Sequence, residues 1–159
     1  MAPSWEPPTA RPGDARPYVY SVLLRCVLIH TELLVYTPPL TAPILRHLLE
    51  RISLFLINAF EKRPRFSLPA LMQATLDTEF LAQTLGQYTT DKASEIQSKI
   101  YVVLDERTGQ AERVRLQEEL QEMRSVLKRL REATKGEFSC FKRARGTGNR
   151  PSSRGGGRE

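Results

Sequence analysis

Cysteine is scarce in this chain: Cys26 and Cys140 are the only two among 159 residues, far apart and outside any CxxC or Cys/His spacing. That argues against a disulfide-stapled scaffold or a zinc site and suits a reducing, cytosolic compartment. Histidine is equally rare. His30 and His47 lie in apolar stretches with no Cys/Asp pattern beside them, so they read as core or boundary residues rather than ligands. With no basic partner implied for either cysteine, both read as small buried hydrophobes. The glycines at 146, 148 and 155–157 neither follow a strand nor open a helix, so they form no phosphate loop. No catalytic constellation is present, and the expectation is a non-enzymatic protein with no cofactor and no metal.

Long uncharged runs are also missing. The longest stretch free of Asp, Glu, Lys and Arg is Leu33 to Leu45, and Pro38, Pro39 and Pro43 interrupt it. Tyr18 to Tyr36 is more apolar but contains Arg25, His30 and Glu32, whose insertion cost favours a buried helix over a membrane span. The proline-rich start has no basic segment leading into an apolar one, so no signal peptide is evident.

What the chain does contain is unevenly distributed. Five of eleven prolines fall in the first 17 residues and five of nine glycines in the last 18. Both ends, 1–17 and 142–159, are expected to be disordered, having too little apolar surface to offset the entropy of ordering. Residues 142–159 also hold six basic residues against Glu159, so most of the net charge of +6 belongs to the tail. The remaining body, 18–141, is close to neutral and large enough for one helical core.

Apolar residues in the body recur at three- and four-residue steps, which predicts an all-α bundle of about five amphipathic helices. The first, Tyr18 to Tyr36, is apolar around most of its circumference and should be central, although Val22, Val27, Ile29 and Val35 lend it some strand character. Thr37-Pro38-Pro39 stops it. A second runs from about Ala42 to Lys62, with Thr41 as its cap and Pro43 in its first turn. Ser67-Leu68-Pro69 repeats that opening for a third, which ends near Gly86. Thr89, Thr90 and Asp91 supply caps for a fourth, Lys92 to Arg107. A Thr108-Gly109 turn leads to a fifth, about Gln110 to Lys135, and so short a turn predicts an antiparallel pair. Phe138 and Phe141 can fold back onto the bundle.

On the fifth helix Leu116, Leu120, Met123, Leu127 and Leu130 are spaced as a coiled-coil seam. Such a stripe is usually intramolecular core, and the alternative is a seam that meets another chain. Arg115 with Glu119 and Lys128 with Glu132 are placed to pair at i, i+4. The basic tail has three readings: a solvated end with no specific role, weak contact with anionic membrane, or contact with RNA or DNA. Its candidate anion contacts are Lys142, Arg143, Arg145, Arg150 and Arg154. No aromatic is interleaved after Phe141, which disfavours nucleic acid.

Written together, Phe66-Ser67-Leu68-Pro69-Ala70-Leu71-Met72-Gln73-Ala74-Thr75-Leu76-Asp77, Glu79 to Leu85, Tyr88-Thr89-Thr90, Lys92 to Ser98, Ile100-Tyr101, Arg115-Leu116-Gln117, Leu127 to Arg131 and Thr134 to Phe138 resemble the C-terminal end of a fungal exocyst subunit of the Sec-five type, exocyst component two. The likeness is dense from about Arg65 to Lys142 and looser from Leu24 to Lys62, and Met1 to Arg16 resembles nothing in the family. The resemblance implies a C-terminal fragment of a longer, non-enzymatic subunit. It would form the terminal module of a rod of stacked helical bundles, with other exocyst subunits as partners, acting in vesicle tethering at sites of exocytosis on the plasma membrane. It also points to candidate interface residues in the hinge Leu81, Leu85 and Tyr88 and in the fifth-helix seam. The alternative is an unrelated small helical protein that binds RNA or anionic membrane through its tail.

Overall fold

The computed structural model describes residues 5–142. Five helices form an all-α bundle: α1 (Pro17–Tyr36), α2 (Thr41–Glu61), α3 (Leu68–Thr84), α4 (Asp91–Glu106) and α5 (Gln110–Ala133). Among the described residues the only β pairing is an isolated bridge between Phe66 and Thr108. Two helix starts follow directly from capping chemistry. The Ser67 hydroxyl accepts from the Ala70 amide at 3.4 Å, and Thr90 Oγ1 accepts from Ala93 at 3.1 Å. Thr41, expected to cap α2, is instead its first residue, and its buried hydroxyl finds no partner.

Packing pairs the helices across the sequence. α2 lies chiefly on α4, and α3 chiefly on α5. The antiparallel pair expected of α4 and α5 is not a packed pair, because each is drawn to a different, broader apolar face. Phe60, Phe80, Leu45, Leu49, Ile100 and Leu104 are fully enclosed where these layers meet. Each such side chain contributes about 1.5–3 kcal/mol by leaving water. The two crossovers are clasped together: the Phe66 amide donates to the Arg107 carbonyl at 2.9 Å, and the Arg107 guanidinium donates to the Arg63 carbonyl at 2.7 Å and to that of Glu61.

Two expectations change. α1 is peripheral rather than central: it touches α2 and α3 lightly and buries only Val19, Leu23, Cys26 and His30. The proline-rich start, expected to be disordered, is packed from Trp5 onward. Trp5 stands edge-on to Phe60 at 5.6 Å and lies 5.8 Å from Phe66, with the Arg63 guanidinium 5.7 Å above its ring. Farther along, Arg11 pairs with Glu119 and Glu122, and Arg129 donates to the Gly13 carbonyl at 2.8 Å. Composition missed this segment because two apolar anchors, Trp5 and Ala15, suffice to hold a strap whose Gly13 and Asp14 carbonyls and Arg16 amide are bonded by neighbouring helices. At the other end Phe138 and Phe141 do fold back, Phe141 meeting His30 edge-on at 5.8 Å.

Candidate interaction surface

The expected seam faces inward. Met123, Leu127 and Leu130 are buried, while Leu116 and Leu120 are half-buried. The hinge residues Leu81, Leu85 and Tyr88 are also buried. All eight candidate interface residues thus serve the chain's own packing in whole or part, and six of them offer a partner almost no surface. The physical reason is that α5 is strongly charged elsewhere, so its single apolar stripe goes to α3. Among the described residues neither i, i+4 pair expected on α5 forms, and Glu119 is taken instead by Arg11 of the strap. Of the candidate anion contacts, Lys142 is exposed, whereas Arg143, Arg145, Arg150 and Arg154 lie outside the described residues.

A second stripe, overlooked in the sequence, is available. On α1 the buried line Val19, Leu23, Cys26, His30 advances by four, three and four residues. Leu24, Leu28, Thr31 and Val35 advance by the same steps on the opposite side of the helix. Leu24 is 51% exposed, Leu28 64% and Val35 70%. The Thr31 hydroxyl donates to the Val27 carbonyl at 2.9 Å, which satisfies it within the helix. Exposed Leu34, Tyr36 and Leu40 extend the apolar surface around the end of α1. The signal was present in the sequence as a helix apolar around most of its circumference, which has one face more than a peripheral position can cover. By length and composition α1 is also able to cross a membrane. Here it is an edge helix, with His30 packed edge-on against Phe141.

The strap and α1 are fixed by a buried carboxylate that sequence reasoning also missed. Asp77 on α3 is fully enclosed. Its Oδ1 accepts from the Arg16 amide at 3.1 Å and from Gln73 Nε2 at 2.8 Å, and its Oδ2 accepts from the Tyr18 hydroxyl at 2.9 Å. Gln73 also donates to the Asp14 carbonyl at 3.0 Å. Burial raises the Asp77 pKa above its ordinary value of 3.8, while these hydrogen bonds pull it down. The i, i+4 spacing of Gln73 and Asp77, which sets both polar groups on one helical face, was the available clue.

Burial, and then the neighbouring Cys140, push the Cys26 thiol up to about 11, which leaves it a poor nucleophile near neutrality. Among the described residues no cluster of His, Cys, Asp or Glu could hold a metal ion. The described residues form an all-helical bundle with an apolar face of α1 left open. The chain belongs to the family of exocyst complex component Sec5, whose pattern it matches over residues 3–141. The match extends through the strap, correcting the expectation that Met1 to Arg16 lies wholly outside the family. Membership makes this an exocyst subunit domain, from a non-enzymatic family whose partners are other exocyst subunits. No curated protein and no solved structure matches the chain.

Proposed function

We propose that the chain acts in vesicle tethering during exocytosis, as a C-terminal bundle of a Sec5-type subunit that binds neighbouring exocyst subunits by helix–helix packing. The family match over residues 3–141 carries this reading. The exposed α1 stripe, Leu24, Leu28, Thr31 and Val35, supplies the packing face, because apolar side chains at alternating four- and three-residue steps suit a second helix. The site of action is the cytoplasmic side of the plasma membrane where secretory vesicles dock. The basic residues from Lys142 onward add weak attraction to anionic lipid, about 1 kcal/mol for each basic residue close to the surface.

Affinity purification of the tagged chain from secreting cells tests this. Known exocyst subunits are expected to co-purify, and their absence would sink the reading. The double variant Leu28→Asp, Val35→Asp should remain helical by circular dichroism yet lose those subunits. If the folded variant retains them all, the stripe is not the contact. Deleting 142–159 is expected to leave subunit capture intact while weakening sedimentation with phosphatidylserine vesicles.

A further inference from the structure

On another side of α1, its N-terminal half and the middle of α2 stand apart and leave a groove. Two adjoining cavities of about 420 and 490 Å³ occupy it, sharing Tyr18, Val22, Phe55 and Leu56 as lining. The floor is apolar, and Phe55, 47% exposed, stands at the junction of the two cavities. Tyr18 is held in place by Asp77, and Trp5 of the strap closes one end. The lining also includes Arg16, Arg25 and Arg51, against a single acid, Glu6. Among the described residues none of the three arginines forms an ion pair; Arg16 donates to the Glu6 carbonyl at 2.9 Å, while Arg25 and Arg51 are exposed.

An apolar trough with basic edges has a definite complement. We propose that this groove binds an amphipathic helix of a partner protein whose apolar face is flanked by Glu or Asp. Leucine-sized residues at i, i+3, i+4 and i+7 fill the trough around Phe55, and flanking carboxylates meet Arg25 on the α1 edge and Arg51 on the α2 edge. The charge pattern argues against the chain's own tail as occupant, since residues 142–159 are strongly basic. It sets partner choice more than raw affinity, because like charge along both edges penalises basic helices. The groove is distinct from the Leu24–Val35 stripe, so the inference stands whether or not the occupant is an exocyst subunit.

Trp5 is the only tryptophan and lines the groove, so its fluorescence in the full 159-residue chain reports occupancy. The probes are two synthetic helical peptides with the same leucine face, one flanked by glutamates and one by lysines. The glutamate peptide is expected to shift Trp5 emission saturably and to bind at least about tenfold more tightly than the lysine peptide, a difference of about 1.4 kcal/mol. Arg25→Glu with Arg51→Glu should reverse that preference, and Phe55→Ala should weaken both peptides. Circular dichroism and urea midpoint confirm that the variants fold. Equal binding of the two peptides, a preference for lysine, no binding at all, or a preference that survives the double charge reversal would each overturn the proposal.

Discussion

α5 and α1 invite opposite readings in sequence and exchange roles in the structure. α5 carries a narrow leucine seam among charges and looks like an assembly helix, yet its seam is turned into α3. α1 is apolar around most of its circumference and looks like the centre of a core, yet it lies at the edge with Leu24, Leu28, Leu34, Val35 and Tyr36 exposed. A highly charged helix has one face it can bury and uses it locally. A helix apolar around most of its circumference can satisfy its own bundle with one face and still offer another outward. Surplus hydrophobicity is therefore a better marker of a contact surface here than periodicity.

The strongest way to break this contrast is to truncate equivalent leucines on the two helices. Leu127→Ala on α5 is expected to lower stability by about 2–5 kcal/mol in urea denaturation, as for a buried leucine. Leu28→Ala on α1 should stay within about 0.5 kcal/mol of the unaltered protein. Equal effects would mean that α1's outer face is covered within the chain.

Next in size is the anchor between strap, α1 and α3. Asp77→Leu strands the Arg16 amide and Gln73, and should cost about 1–3 kcal/mol. Asp77→Asn keeps an acceptor and should fold. It also sharpens the electrostatics. The folded-state pKa of Asp77 lies above its unfolded value, so the native state holds the proton more tightly. Stability from this group is then greatest below the unfolded value of 3.8 and falls as pH rises through the raised native value, levelling off above it. In Asp77→Asn that decline should vanish, as read from urea midpoints across the acid range.

The smallest effect concerns the surface ion pairs that hold the strap on α5. Arg11→Ala removes contacts to Glu119 and Glu122, but the arginine is 60% exposed. The expected loss is under about 1 kcal/mol and shrinks further in high salt. A larger, salt-insensitive loss would assign the strap's attachment to α5 rather than to Trp5 and Asp77.

Much of this architecture was legible because local rules and packing agree. About five helices were expected and five are present among the described residues, and Thr90 caps α4 as its position implied. The inward turn of the α5 seam was one of its two stated readings. The strap was not legible, since proline content lowers the odds of a core without revealing that Trp5 meets Phe60 and Phe66. The open faces of α1 were hidden for another reason. Hydropathy ranks residues by their preference for burial but does not say which of them run out of neighbours.

The clasp between the two crossovers has a mechanical consequence. The bond from Phe66 to the Arg107 backbone and those from the Arg107 side chain to the carbonyls of Glu61 and Arg63 join segments some forty residues apart in the chain. These bonds tie the α2–α3 connection to the α4–α5 connection, so the two helix pairs are joined by more than the covalent chain, and separating them requires several hydrogen bonds to break as well.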